Sequence, residues 1–193
     1  PLVEAQNIFF EKGGRPIFSS VSIQLNEGEV IIIKGKNGSG KTSLLKCLAG
    51  FYQINKGHIL WGGQNILPSF ATDETMLSWL GHLNALKLSL TVRENLQFYA
   101  DLWDVSKEKF LNSVDYLNFS KYLDFPVSWL SAGEKKRLCI IRLIFSPSKV
   151  WLLDEPTTFL DKDNKRLFES LMENHVSAGG AIACATHDQL NIK

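Results

Sequence analysis

Glu29-Val-Ile-Ile-Ile-Lys34-Gly-Lys-Asn-Gly-Ser-Gly-Lys-Thr42 is the stretch of sequence that decides the fold. A run of β-branched residues comes first, then a glycine-rich turn, then the start of a helix predicted over about 41–49. Such a run is typical of a strand that is buried on both faces of a parallel sheet. The turn matches the pattern G-x-x-x-x-G-K-[ST], in which backbone N–H groups close around phosphate oxygens. The stretch therefore predicts a phosphate-binding loop between a strand and a helix.

The residues of this loop predict a nucleotide site that also holds magnesium. Glycine is needed where the backbone turns inward, because a side chain there would obstruct the phosphate. Lys41 would reach the β- and γ-phosphates of ATP, and Thr42 would place its hydroxyl on Mg²⁺. The positive end of the following helix adds to the anion site. The predicted nucleotide-binding residues are Gly35, Lys36, Asn37, Gly38, Ser39, Gly40, Lys41, Thr42 and Ser43.

Two carboxylates follow a second apolar stretch far along the chain. Val150-Trp-Leu-Leu153 is predicted to be a buried strand, and Asp154 and Glu155 come directly after it. Two adjacent carboxylates repel each other, so a nearby cation stabilises them. We predict that Asp154 holds Mg²⁺, directly or through water, and that Glu155 is catalytic and polarises the attacking water.

The rest of the chain predicts further strands on both sides of a helical stretch. Strands are expected at 2–10 and 17–25 around a turn at 12–14, and these form an N-terminal β region. Three more strands are expected at 76–80, 149–153 and 181–185. Because helices separate these later strands, the fold class is α/β with a largely parallel sheet.

Helical periodicity prevails between residues 91 and 144. Two capping-box patterns, Thr91 to Glu94 and Ser131 to Glu134, are predicted to open helices there. We therefore expect a single domain over 1–193. Its α/β core would comprise 1–85 and 146–193, and a helical subdomain would be inserted at about 86–145.

Composition restricts the possible partners. The chain has 21 basic and 20 acidic residues and a net charge of +1, so no strong field attracts nucleic acid or an anionic membrane. Its apolar runs are far shorter than the roughly 20 residues that span a bilayer. Any contact with a membrane is therefore expected to go through another protein. Cys47, Cys139 and Cys184 lie far apart, without the spacing of metal ligands, and are predicted to be reduced and buried.

Leu130-Ser-Ala-Gly-Glu134, followed by Lys135-Lys-Arg137, resembles the L-S-G-G-Q signature and basic tail of the ABC ATPase family. The stretch Phe159-Leu-Asp161 is similar to the D-loop of that family, and His187 is similar to its switch histidine. These motifs and the two phosphate-site motifs come in the family's order and spacing. The resemblance implies a P-loop NTPase core with a mostly parallel sheet, an N-terminal antiparallel β region and an inserted helical subdomain.

The resemblance also implies roles for residues outside the phosphate-binding loop. Ser131 and Gly133 would close over the γ-phosphate of ATP held by a second copy, giving a head-to-tail dimer with ATP between the chains. His187 would be catalytic, hydrogen-bonding the γ-phosphate or the attacking water. Phe10, or Phe9, would stack on adenine, with packing in the core as the alternative.

One position departs from the family pattern. The family has a glutamine at the loop that joins the core to the helical subdomain, and the aligned residue here is Leu83. A leucine side chain cannot bind a metal ion. His82, Asn84 or a water molecule would have to replace the glutamine.

Residues 79–99 resemble the haem-exporter ATP-binding subunit of bacterial cytochrome c maturation. That resemblance implies an ATPase that powers haem export together with integral-membrane permease subunits, at the cytoplasmic face of the bacterial inner membrane. Three alternatives stay open: another small ABC exporter, a soluble ABC ATPase that acts on nucleic acid or ribosomes, and a P-loop kinase for small molecules. No nucleic-acid partner is expected, because the chain has neither basic arms nor a second fused cassette.

Overall fold

An antiparallel sheet is formed by the N-terminal third of the chain in the computed structural model, which describes residues 1–65, 77–81 and 85–192. Its strand order is β2-β1-β4-β5, and the bounds are β1 (Val3–Lys12), β2 (Arg15–Leu25), β4 (Lys56–Trp61) and β5 (Gln64–Asn65). The predicted N-terminal β region is confirmed. Strand β4 was not predicted, because it begins with exposed polar residues and becomes a strand only by pairing with β1.

A parallel sheet lies beside it, with the strand order β3-β8-β7-β6. Its strands are β3 (Val30–Ile33), β6 (Leu77–Leu80), β7 (Val150–Asp154) and β8 (Ala181–Ala185), and every pairing between them is parallel. All five residues of β7 and of β8 are buried, as their continuous apolar sequences predict. The predicted α/β fold class with a largely parallel sheet is therefore confirmed.

Strand β3 corrects one detail of the sequence prediction. Its four residues are half-buried, whereas a strand buried on both faces was expected. Within the described part of the chain, β3 pairs only with β8 and stands at the end of the sheet. A strand with one sheet neighbour keeps part of its surface open, however apolar its sequence is.

Five α-helices accompany the sheets in the described residues. They are α1 (Lys41–Leu48), α2 (Val92–Leu102), α3 (Lys107–Tyr116), α4 (Ala132–Phe145) and α5 (Lys162–Ser177). Both predicted capping boxes are present, at Thr91 before α2 and at Ser131 before α4. In each box the hydroxyl accepts the N–H of the glutamate three residues later, and the glutamate carboxylate accepts the N–H of the capping residue.

Two apolar clusters cover the two faces of the parallel sheet. One joins α1 and the antiparallel sheet to side chains such as Leu152 and Ala183. The other joins α2, α3, α4 and α5 to the opposite face, through residues such as Leu153 and Ile182. Because the helices of 86–145 share this second cluster with the core, the proposed division into core and helical subdomain stays a prediction.

The three cysteines are free and buried, as predicted. Burial raises the pKa of Cys47 and of Cys184 to about 12, and that of Cys139 to about 11. A thiol with so high a pKa is protonated at neutral pH and is neither a good nucleophile nor a ready metal ligand.

No α-helix in the described ranges combines the length and the apolar character needed to cross a membrane.

We expect Phe119→Ala to lower the free energy of unfolding by about 3–5 kcal/mol, because it leaves a cavity in the cluster beneath α4. Phe119 is 0% exposed, whereas Phe125, six residues further on, is 44% exposed and provides the matched control. Phe125→Ala should cost less than about 1 kcal/mol. Urea titration of both variants, followed by circular dichroism, measures the difference. Equal losses would show that the core is not placed as described.

Candidate nucleotide-binding site

The predicted phosphate-binding loop lies between β3 and α1. The ammonium group of Lys41 donates to the carbonyl oxygens of Gly35 (2.8 Å) and Lys36 (3.2 Å), so this side chain folds back across its own loop. Gly40 is the N-cap of α1 and has φ +96°, and a Cβ there would lie 2.7 Å from the Cγ2 atom of Ile17. A residue other than glycine would therefore be strained and would clash with β2. No side chain at the cap competes for the first N–H groups of α1.

Thr42 and Asp154 meet beneath the loop. The hydroxyl of Thr42 lies 3.0 and 2.9 Å from the two carboxylate oxygens of Asp154. Asp154 is only 2% exposed, and a buried carboxylate needs a cation or several donors to be stable. Hydroxyl and carboxylate oxygens are the hard ligands that Mg²⁺ prefers. The two side chains predicted to hold the metal thus form one oxygen cluster that fits it.

Glu155 and His187 lie close together, with the Oε1 atom of Glu155 3.6 Å from Nε2 of His187. The same nitrogen lies 2.7 Å from Oδ1 of Asn37 and 3.1 Å from the ammonium of Lys41. When Nε2 carries the proton it donates to Asn37, and it then has no lone pair to accept from Lys41. Lys41 in that case relies on the two loop carbonyls. The histidine therefore links the phosphate-binding loop to the acidic end of β7.

These groups surround one cavity of about 870 Å³, within the size range of small-molecule sites. The predicted residues that line it are Asn37, Gly38, Gly40, Lys41, Thr42, Ser43, Asp154, Glu155 and His187. Gly35, Lys36 and Ser39 belong to the same loop but do not line the cavity. Phe159, from the stretch that resembles the D-loop, also lines the cavity. The lining residues that were not predicted are Ile17, Thr157, Thr158 and Asp188.

Asp188 is the most informative of the missed residues. The Thr157 hydroxyl donates to its Oδ2 atom at 2.6 Å, and Lys165 lies 3.2 Å from the same oxygen. The Thr157 hydrogen bond, helped by Lys165, holds the pKa of Asp188 below its usual range. The contact fastens the loop after β8 to the loop after β7, and so positions His187 beside Glu155. Its only signal in the sequence is that it directly follows the histidine.

Ser131 and Gly133 lie at the start of α4 and do not line this cavity. Ser131 is exposed, and its hydroxyl oxygen accepts the N–H of Glu134 at 3.3 Å. A Cβ on Gly133 would lie 2.7 Å from the carbonyl oxygen of Phe159. Glycine at this position lets the signature helix pack directly on the loop that follows Glu155.

Phe10 does not have the exposure that stacking on adenine requires, which corrects that prediction. It is 6% exposed and lies in the core, with its ring 5.4 Å from Tyr52 and 5.8 Å from Phe18. Neither Phe10 nor Phe9 lines the cavity. Strand β1 buries Val3 and Ala5, and an irregularity between Ala5 and Ile8, where Asn7 has φ +48°, shifts the alternation so that Ile8 and Phe10 are buried. Core packing, the alternative interpretation, therefore describes Phe10.

Leu83, His82 and Asn84, which concern the missing glutamine, lie outside the described residues.

Comparison with known proteins identifies the family. The model of the ABC transporter family matches residues 18–158. Proteins named cytochrome c biogenesis ATP-binding export protein CcmA are similar over nearly the whole chain. The one from Chelativorans sp. is 37% identical over 98% of this chain and 93% of its own length. The one from Nitrobacter winogradskyi is 40% identical over 94% of this chain and 89% of its own.

Solved structures show the same fold. An ATP-binding subunit of an ABC transporter superposes with a TM-score of 0.87 over 97% of this chain and 80% of its own, at 20% identity. A structure named putative ABC transporter (ATP-binding protein) from Pyrococcus furiosus superposes with a TM-score of 0.83 over 98% of this chain and 92% of its own, at 19% identity. The sequence matches and the fold agree, and the chain belongs to the ABC transporter family, in the group of the cytochrome c biogenesis ATP-binding export proteins.

Proposed function

We propose that this protein binds ATP with Mg²⁺, hydrolyses it to ADP and phosphate, and thereby powers a membrane exporter. One observation carries the hydrolytic part of this proposal. A cationic loop, an oxygen cluster suited to Mg²⁺, a carboxylate and a histidine converge on one cavity. Phosphoryl transfer to water requires these groups to be held together, because its catalysis is mostly positioning and charge stabilisation.

Each side chain has a role that follows from its place. Lys41 can exchange its loop carbonyls for phosphate oxygens, which carry full charge and accept stronger hydrogen bonds. Thr42 and Asp154 would hold Mg²⁺, which neutralises phosphate charge when bound. Glu155 is largely buried and orients a water molecule as its acceptor. His187 donates from Nε2 to the terminal phosphate or to that water.

A second copy of the chain would complete the site. Ser131 caps α4 by accepting a hydrogen bond, so its own hydroxyl proton remains available for a phosphate oxygen. The start of α4 adds the positive end of a 14-residue helix. Because Ser131 does not line the cavity of its own chain, we propose that it reaches the γ-phosphate in the cavity of the partner, with two ATP molecules between head-to-tail copies.

We further propose that the exporter serves cytochrome c biogenesis, as the names of its relatives state for them. The cargo would be haem, and the partners would be integral-membrane permease subunits. The chain would then be a peripheral protein at the cytoplasmic face of the bacterial inner membrane. Another small exporter or a non-transport ATPase is the alternative, and a complementation test decides between them.

Two substitutions should separate ATP binding from hydrolysis. Lys41→Ala removes the charge that faces the β- and γ-phosphates, and we expect ATP affinity or turnover to fall at least about 100-fold. Glu155→Gln keeps the shape of the side chain but replaces the charged carboxylate, which can polarise the water, with a neutral amide. It should bind ATP normally and turn over at least about 100-fold more slowly.

Phosphate release and equilibrium binding of a fluorescent ATP analogue measure the two effects. Lys107→Ala, which removes an exposed lysine of α3, is the control and should match the wild type. A Glu155→Gln variant that releases phosphate at the wild-type rate would show that Glu155 does not activate the water.

Ser131→Arg should block ATP-driven dimerisation while each copy still binds ATP, because the guanidinium would occupy the place of the partner's γ-phosphate. Size-exclusion chromatography with Mg-ATP, in a Glu155→Gln background that retains ATP, is the assay. Ser177→Arg, an exposed serine at the end of α5, is the control and should dimerise. A dimer that survives Ser131→Arg unchanged would contradict the sandwich arrangement.

In a bacterium that lacks its own cytochrome c biogenesis export ATPase, the wild-type chain, expressed with its permease partners, should restore haem-containing c-type cytochromes. Glu155→Gln should not, because transport needs turnover. Haem staining of membrane proteins is the readout. If wild-type protein that is active as an ATPase restores nothing, the export role is wrong and a different cargo or a non-transport function must replace it.

A further inference from the structure

A lysine of the signature helix is buried beside the catalytic carboxylates. Lys136 lies in the second turn of α4 and is only 3% exposed, which is rare for a lysine. Its ammonium donates to the backbone carbonyl oxygen of Glu155 at 3.4 Å. Burial lowers the pKa of Lys136, and the charges of Asp154 and Glu155 are among the influences that oppose this shift. The position of Lys136 in a basic tail does not explain why its side chain is buried.

The backbone of Glu155, which Lys136 contacts, has an unusual conformation. Glu155 has φ +48°, in the left-handed region that residues with a side chain rarely adopt. Its N–H donates to the carbonyl oxygen of Ala185 in β8 at 2.8 Å, and its own carbonyl accepts from Lys136 and from the N–H of Thr158, each at 3.4 Å. A disfavoured conformation persists only where its surroundings fix it. The peptide groups on both sides of this residue are fixed in this way.

Helix α4 also contacts the far end of the loop that runs from Glu155 to Phe159. Phe159 has φ +70°, and its carbonyl oxygen is the atom that a Cβ on Gly133 would meet at 2.7 Å. The loop from Glu155 to Phe159 thus begins and ends in a left-handed residue, and the carbonyl of each faces α4. A helix moves as a rigid unit, so a displacement at Ser131 is transmitted to Gly133 and Lys136 together.

We propose that Lys136 is a positioning residue for ATP hydrolysis, which fixes the peptide of Glu155 and hence the direction of its carboxylate. This inference rests on the proposed function. Lys136 touches no reacting group and acts through the backbone of Glu155. It also ties that residue to the helix whose N-terminus meets the partner's nucleotide, so docking of the signature in one site adjusts the water-activating carboxylate of the other.

The test compares three variants. Lys136→Met keeps the aliphatic volume and removes the donor, and Lys136→Gln has an amide one bond shorter, which cannot span a contact that is already 3.4 Å long. Both should lower kcat by about 10–100-fold, the cost of misplacing a reacting group. KM, and ATP affinity in a Glu155→Gln background, should stay within about twofold of the wild type, because the phosphate-binding loop is untouched. Lys136→Arg, which restores a cationic donor, should recover most of kcat.

The control is Lys107→Met, an exposed lysine on α3, which should leave kcat and KM unchanged. Thermal unfolding of every variant separates a positioning role from a structural one. If Lys136→Met and Lys136→Gln keep wild-type kcat, the positioning role is overturned and the proposed function is unaffected. If all three variants lose kcat, ATP affinity and thermal stability in parallel, Lys136 only supports the fold. Wild-type protein without ATPase activity would instead overturn the proposed function itself, and the role of Lys136 with it.

Discussion

The position of β8 between β3 and β7 is the constraint on which the site depends. Neighbouring strands are about 4.8 Å apart, so the strands that carry the phosphate-binding loop and the acidic pair are separated by about 10 Å. The phosphate-binding loop and the acidic end of β7 therefore face each other across one intervening strand. His187, two residues beyond the middle strand, lies between them, with its Nε2 atom 2.7 Å from Oδ1 of Asn37 in the loop and 3.6 Å from Oε1 of Glu155.

Two charged groups of the site, Lys41 and Asp154, have neutral hydrogen-bond partners. In the proposed function, a nucleotide with its metal ion would give each of them a partner of opposite charge. Asp154 is buried, and the hydroxyl that contacts its oxygens belongs to a neutral side chain, Thr42. Lys41 donates to neutral carbonyls. Two opposite full charges attract each other more strongly than a charged group attracts a neutral dipole. Exchanging these partners for a metal ion and phosphate oxygens would therefore be favourable on both sides of the cavity, which supports the proposal that the ligand is an anion accompanied by a divalent cation.

The features that could be predicted from the sequence are those encoded by a few consecutive residues. The strands β7 and β8 are continuous apolar runs, each capping box needs four residues, and the phosphate-binding loop is a contiguous motif. The features that were missed depend on distant partners. Strand β4 forms by pairing with β1, and the partial exposure of β3 follows from its single neighbour. The inward direction of Phe10 follows from the irregular pairing of β1 with β2 between Ala5 and Ile8. Thr157 and Asp188 meet only because β7 and β8 are adjacent.

Helix α4 shows how one short motif can serve two sites. Its capping serine is exposed, as the proposed contact with a second copy requires, while its second turn is buried and reaches Glu155. A helix satisfies both demands, because residues five apart lie one and a half turns from each other and face different surroundings. The glycine between them brings the helix axis close to the loop, since a Cβ would strike the Phe159 carbonyl. In the proposed dimer, the Ser-Ala-Gly-Glu-Lys-Lys stretch would make a contact with another chain and a contact with the loop of its own Glu155 through the same rigid element. A change in how the partner's nucleotide contacts Ser131 would then be transmitted to the loop that carries Glu155.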